Sequence, residues 1–361
     1  MTLHVFNPEH DIALAFGEAN FTAPHAGRQL RHDLSFLPAL WASPDDGLLV
    51  DDVQTAQRSF SRFAQAVLRS TGVRLSWSPN AFLPVTPASV FAKVSDVAPW
   101  GWDSALRHQL ARLGVASEAL LPSNDLAAIR QLSHRRTSAT LLPSLCTIDG
   151  TVGEALECFS LSEVCRFADL HHHVVLKAPW SSSGRGIRFI DGELTPSVEG
   201  WIRHVLTDQG SIMAEPYYHK VSDFGMEFTA RRDGSVVYEG LSLFHTANAA
   251  YTGNILATEA WKRRQLSRYV SAGLLDDLQI RLCGLLSEAI DHRYAGPLGV
   301  DMMVVQGGRV HPCVEINLRR TMGHVALSLS HHINPSADDD QVRVMRIVYN
   351  DNHYKLKIQR L

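Results

Sequence analysis

Residues 174–190, VVLKAPWSSSGRGIRFI, set two short apolar runs on either side of a tip of small polar residues, and the rest of the chain is organised around them. β-Branched residues lead to Lys177, Pro179 stops the first run and Ile187 restarts the second, which predicts strand, loop and strand. Gly184 and Gly186 let the backbone approach a ligand with no Cβ in the way, and Ser181, Ser182 and Ser183 add hydroxyl and amide donors suited to phosphate oxygens. Lys177 adds a point charge beside them. A solvated turn has the same composition, so the tip alone does not establish phosphate binding. No Gly-Lys-Ser/Thr follows, which excludes a Walker loop, and the third glycine and the helix of a dinucleotide fingerprint are missing. Three serines and two glycines offer little to pack, so the tip is expected to be mobile without a ligand.

A chain of 361 residues, 45% hydrophobic and 20% charged, can bury a core sufficient for two or three domains. Its formal charge of −3 leaves no basic footprint for nucleic acid or an anionic membrane, while small anionic ligands held by local charge stay compatible with it. The five cysteines include no CxxC and sit in apolar surroundings, as reduced structural thiols do. No apolar run approaches the roughly 18 residues of a membrane span. MTLHVFNPEH does not read as a signal peptide, and the expectation is a cytoplasmic protein.

Residues 3–6 read as a strand broken by Asn7-Pro8, with a helix opening at Ile12. Between them, Glu9, His10 and Asp11 are either a helix cap or the wall of a polar pocket. A strand at 47–50, an amphipathic helix at 55–70 and a strand at 73–77 complete an α/β layer. Helical spacing over 100–132 predicts a connector, followed by adjacent Arg135 and Arg136, which are surface charge or phosphate ligands. The run His171-His172-His173 points neighbouring side chains to opposite faces of a strand and makes no metal site. Residues 211–214 form an apolar strand that runs into Glu215, Tyr217 and Tyr218. Asp223-Phe224-Gly225 spells a kinase triplet without its companion motifs. A hairpin at 226–243 leads to residues 245–254, small and polar, which read as a substrate-facing loop carrying His245 and Asn248.

Residues 299–305 and 310–317 flank Gly307-Gly308 and predict an antiparallel hairpin. Glu315 and Asn317, two apart, face one side of a strand. A three-residue loop at 307–309 pairs Asp301 with Glu315, whereas a two-residue loop puts them on opposite faces; the three-residue register is the expectation. Pro312 leaves a hole in the ladder and threatens that register. Asp301, Glu315 and Asn317 converging between strands suit Mg²⁺, and without a cation one of the facing carboxylates must hold a proton.

A glycine-rich hairpin with an upstream lysine, an Ile-Met-Ala-Glu-Pro strand exit and a late Asp…Glu-x-Asn pair, in this order over 130–325, resemble the ATP-grasp superfamily. The resemblance implies an α/β N-terminal domain over 1–125, of the kind that precedes ATP-grasp cores. After it would come an α+β ATP-grasp fold of two subdomains with antiparallel sheets, a lid at 126–214 and a metal-binding subdomain at 215–361. ATP would lie between them, with Ser181, Ser182, Ser183, Gly184 and Gly186 over the phosphates and Lys177 on phosphate oxygens and the adenine edge. The family's earlier basic residue, usually lysine, falls on Arg135 or Arg136. Glu215, Tyr217 and Tyr218 match the segment that reads adenine, and Asp223 or Glu227 the acid that holds the ribose. Asp301, Glu315 and Asn317 match the ligands of Mg²⁺ (or Mn²⁺), and Arg319 matches a phosphate-binding residue that would act with Lys177 in catalysis. Most members activate a carboxylate as an acyl phosphate and join it to an amine or thiol, releasing ADP and phosphate. The implied partners are therefore a small carboxylate and an amine or thiol acceptor; by their polarity and expected loop positions alone, Glu9, His10, Asp11, His245 and Asn248 are the expected pocket. The alternatives are a small-molecule kinase of the same fold and a non-catalytic nucleotide-binding protein. The apolar first domain is compatible with a homodimer.

Overall fold

The computed structural model describes residues 1–75, 82–181, 186–247, 250–333 and 342–360. The chain begins with β1 (Thr2–Val5), α1 (His10–Phe16), α2 (His25–Leu34), β2 (Gly47–Val50), α3 (Val53–Thr71), β3 (Phe82–Pro84), β4 (Asp96–Pro99), α4 (Ser104–Leu113), α5 (Ser123–Leu132) and α6 (Arg136–Leu145). Its four strands are parallel in the order β3-β2-β1-β4. They read as short apolar runs because helices cover the sheet. In α3, Asp52 caps the first turn by accepting from the N–H of Thr55, Phe60, Phe63 and Val67 face inward, and Gly72 ends the helix at φ 74°.

The strand expected at 73–77 does not form over its described part. Val73 and Leu75 stay half-buried outside any strand, and residues 76 and 77 lie outside the described residues. Phe82, which is buried and pairs with Leu48, takes the sheet edge instead. The helical connector over 100–132 is two helices, separated where Gly114 adopts φ 95°.

A second layer follows: β5 (Leu156–Cys158), α7 (Leu161–His171), β6 (His173–Lys177), β7 (Ile187–Asp191), α8 (Pro196–Gln209) and β8 (Ile212–Pro216). The strands are antiparallel in the order β5-β8-β6-β7, with Val164, Phe167, Ile202 and Val205 of the two helices in the same core as Val174 and Leu176. Lys177 pairs with Ile187, so the glycine-rich segment joins two strands as a hairpin. Ser182, Ser183 and Gly184, and with them the expectation of a mobile tip, lie outside the described residues.

The third unit holds β9 (Lys220–Ala230), β10 (Val236–Ala247), β11 (Ala250–Leu256), α9 (Glu259–Leu266), α10 (Ala272–Ile290), β12 (Gly296–Val305), β13 (Arg309–Asn317), α11 (Met322–Ile333), β14 (Arg343–Asn350) and β15 (His353–Arg360). One antiparallel sheet of seven strands runs β13-β12-β9-β10-β11-β14-β15. Strand alternation divides it: Phe224, Met226, Phe228, Val300 and Met302 share a core with Leu275, Leu278 and Leu282 of α10, leaving Asp223, Gly225, Glu227 and Asp301 to the opposite face. Residues 245–254 are therefore mostly hairpin and not a loop. Their small polar side chains give little propensity, but they pair with one another as β10 and β11, with β14 joining from Asn254 onward, and that pairing overrides composition. The C-terminal hairpin packs back on the first layer, where Met345 and Leu356 join Phe60 and Phe63 in one core and Asp33 accepts the N–H of Tyr354 at 2.8 Å.

Asp301 does pair with Glu315, by a different route from the expected loop. The turn is 306–308, so Val305 faces Arg309 and Met303 faces His311; a register shift between Asp301 and Met303 then brings Glu315 opposite Asp301. Pro312 lies in the shifted stretch, and the missing N–H is what makes a bulge cheap there.

Candidate active site

The face left free by strand alternation carries the chemistry. Asp301 accepts from Nδ2 of Asn317 at 3.1 Å, and the amide oxygen of Asn317 accepts from Nη2 of Arg319 at 2.9 Å. Arg319 grips Asp11 with two parallel bonds of 2.7 and 2.8 Å, joining β13's exit to the first turn of α1. Burial alone would raise the Asp11 carboxyl, but the Arg319 charge prevails and holds it below the usual range. Asp301 has the opposite balance: burial, then the charges of Glu315 and Glu227, push it up to about 7. Gly225 sits opposite Asp301 in the ladder; a Cβ there would meet the Val300 carbonyl at 3.1 Å.

Arg135 closes the site from the side of the β6–β7 hairpin. Its Nη2 donates to Oε1 of Glu315 at 2.8 Å, while Nη1 donates to Oγ of Ser181 at 2.8 Å and to the carbonyl of Ala178 at 2.5 Å. Arg136 is set apart, on the side of Glu157 at 3.3 Å. A cleft of about 20 Å³ remains at the junction, lined by His10, Asp11, Trp180, Ser181, Glu315 and Asn317. Lys177 is buried and donates to Oε2 of Glu215 at 2.6 Å, because register places both on one face of the β6–β8 pair. Tyr218 packs its ring edgewise on His311 at 5.4 Å, and burial pushes its hydroxyl up to about 12. Tyr217 is exposed beside Phe189.

Among the described residues no group of three His, Cys, Asp or Glu side chains is placed to hold a metal, so the candidate is the mixed set of two carboxylates and one amide. That set fits Mg²⁺, a hard cation that takes few protein oxygens and keeps waters. The carboxylates of Glu315 and Glu227 repel that of Asp301, a repulsion that a cation held there would offset.

No protein-family model matches the sequence, and no curated protein matches it significantly. Solved structures do match. N5-carboxyaminoimidazole synthetase from Staphylococcus aureus, complexed with ADP, superposes with a TM-score of 0.53 at 10% identity, over 97% of this chain and 83% of that one. A second structure of that enzyme gives 0.50 at 9% identity, again over 97% and 83%. The chain has the ATP-grasp fold. The parallel first layer is its α/β N-terminal domain, and the two antiparallel sheets form its core.

On this ATP-grasp frame the residues expected to bind substrate separate. His10 and Asp11 line the junction, with His10 hydrogen-bonded to Asp103 at 3.1 Å, but Glu9 faces a different cavity. His245 is exposed on β10, and its neighbour Thr246 is the one that reaches Asp223, at 2.5 Å. Asn248 lies outside the described residues. Of the two acids weighed for ribose, Asp223 is held by Lys220 at 2.6 Å, and Glu227 is buried and accepts from Thr321 at 2.8 Å. Sequence reasoning missed Asp103, which positions His10 and Asn7; its signal was a helix N-cap, Asp103-Ser104-Ala105-Leu106, just after a strand. It also missed Trp180, stacked under Arg130 at 4.0 Å, for which the sequence carries no signal beyond an aromatic at a loop start.

Proposed function

We propose that this protein is an ATP-dependent ligase, using Mg²⁺, that activates a small carboxylate and joins it to an amine or thiol. The observation that carries the reading is Arg135 tying the glycine-rich hairpin to Glu315, beside Asp301, Asn317 and Arg319 on one sheet face. Asp301, Glu315 and Asn317 would hold Mg²⁺, which when bound offsets phosphate charge and aligns the nucleotide. Lys177, Ser181 and the rest of the tip would face the phosphates, and Glu215, Tyr217 and Tyr218 the base. Arg319, oriented by Asp11, presents a planar fork suited to a phosphoryl group or a carboxylate. Arg135 can exchange Glu315 for phosphate, which frees that carboxylate when the charge of the nucleotide arrives.

The reaction needs no covalent enzyme group. A carboxylate oxygen attacks the γ-phosphorus and ADP leaves; the amine or thiol then attacks the acyl carbon, phosphate leaves, and the acceptor loses its proton. The protein supplies alignment and charge compensation. The S. aureus structure complexed with ADP supports a nucleotide on this fold. The test is a panel of small carboxylates with MgATP and hydroxylamine. ADP release with acyl hydroxamate formation is expected for at least one carboxylate. A phosphorylated product without hydroxamate would replace the ligase reading with a kinase, and ADP release from no substrate would remove it.

A further inference from the structure

The N-terminal domain encloses a second, much larger cavity, of about 570 Å³. It opens where the parallel sheet reverses direction, since the chain builds outward from β1 to β2 and β3 on one side and returns to β4 on the other. Residues just past the carboxyl ends of all four strands line it: Asn7 and Glu9 after β1, Asp51 after β2, Val85 after β3 and Asp103 after β4. In open α/β sheets that crevice is where ligands bind.

A buried polar layer separates this cavity from the cleft beside Glu315. Asp103 accepts from Nδ2 of Asn7 and pairs with Nδ1 of His10, each at 3.1 Å, and Asn7 also donates to the carbonyl of Gly101 at 2.8 Å. All three side chains are buried. A molecule in the cavity therefore lies behind His10 and not on the candidate metal face.

The cavity lining shows what is missing. Glu9 is 7% exposed; Arg31 engages its Oε1, but Oε2 is buried with no hydrogen-bond partner. Buried carboxylate oxygens in native proteins have donors, so this one points to a ligand that brings one. At the mouth, Arg28 donates only to the carbonyl of Ala23, and exposed Arg112 has no hydrogen bond or ion pair among the described residues. Carboxylates of Glu9, Asp51 and Asp103 are matched in number by the guanidiniums of Arg28, Arg31 and Arg112. Such a lining favours neither a simple anion nor a simple cation.

We propose that this cavity is a second ligand site, taking a small zwitterion, an amino acid or short peptide, with its ammonium on Glu9 and its carboxylate on Arg28 and Arg112. Only its place relative to the reacting groups rests on the ligase reading; binding itself does not need nucleotide.

The test is calorimetric titration, in EDTA and without nucleotide, of the twenty free amino acids and a set of dipeptides. Wild type and the variants Glu9→Gln, Arg112→Ala and Asp301→Asn are compared. At least one probe is expected to bind wild type and Asp301→Asn equally, and to bind Glu9→Gln and Arg112→Ala roughly tenfold or more weakly, as loss of a charge-assisted hydrogen bond requires. Arg112 is on the rim, so its variant gives the answer even if Glu9→Gln fails to fold. No probe binding wild type, or binding unchanged in both variants, would overturn the proposal. MgADP titrations of the same proteins in EDTA-free buffer keep the two readings apart: loss of nucleotide binding in Asp301→Asn with amino-acid binding retained supports both, and wild type that binds an amino acid but never MgADP removes the ligase reading alone.

Discussion

Nη2 of Arg135 lies 2.8 Å from Oε1 of Glu315, across 180 residues of chain. The same guanidinium holds Ser181 and Ala178, so the lid strand's exit is tied to a candidate metal ligand. The junction is left with about 20 Å³, room for roughly one water. If Glu315 holds the metal and nucleotide as proposed, this bridge has to open first.

Arg135→Ala should loosen the lid. The amide of Ala178, now bonded to the carbonyl of Gly186 at 2.8 Å, is expected to exchange hydrogen about tenfold faster, a change of roughly 1.4 kcal/mol in local opening. Arg135→Lys, which keeps one charge and loses the fork, should fall between. Unchanged exchange at Ala178 would show that the bridge does not restrain the hairpin.

Arg319 and Asp11 are expected to act as one unit. Arg319→Lys loses the two-pronged contact, and kcat should drop tenfold or more while KM for ATP changes little. Asp11→Asn should lower kcat similarly, and the double variant should be little worse than either single one, since both remove the same orientation. Fully additive losses would separate the two residues.

Trp180 reports on the same junction. It donates from Nε1 to the carbonyl of Arg130 at 2.9 Å and stands next to Ser181. Trp180→Phe should cost about 1–2 kcal/mol through the lost bond and contact. It should also remove most of any tryptophan fluorescence change produced by MgADP, although seven tryptophans are present. A full signal in the variant would place the nucleotide response elsewhere.

Two buried histidines set an acid limit. Burial, then the charges of Arg136, Arg130 and Arg135, lower His134 to about 3; burial, then Lys177, lower His311 to about 3. Both stay neutral when folded and take up a proton near 6.5 when unfolded. Their contribution is thus complete above about 6.5 and is lost as pH falls from there towards 3. Between pH 7 and 5 each should cost roughly 2 kcal/mol of stability. Urea unfolding at the two pH values should show a smaller difference for His311→Phe than for wild type; an equal difference would refute the assignment.

The Glu-x-Asn pair and the glycine-rich hairpin were legible because strands repeat every two residues and glycine marks a tip. The Asp301–Glu315 pairing was legible too, though its cause was not: the three-residue turn sits one position earlier than expected, at 306–308, and a bulge beside Pro312 restores the match. Residues 245–254 misled because their conformation comes from pairing with one another across the β10–β11 hairpin, which small polar side chains do not announce; β14, about 90 residues later, joins only from Asn254 onward. Arg319 meeting Asp11 across 308 residues, and Glu9 facing away from His10 and Asp11, depend on how a helix sits against a distant strand. Adjacent residues in α1 point in different directions, so three polar neighbours in sequence became parts of two cavities.

The most direct measurement is thermal unfolding of wild type and Asp301→Asn with MgADP, with MgATP, and with either nucleotide in EDTA. Ligand at about 100 times its Kd should stabilise wild type by roughly 2.7 kcal/mol, and the gain should vanish in EDTA and in the variant. Wild type that unfolds at one temperature under every condition would contradict the nucleotide and metal site proposed for Asp301, Glu315 and Asn317.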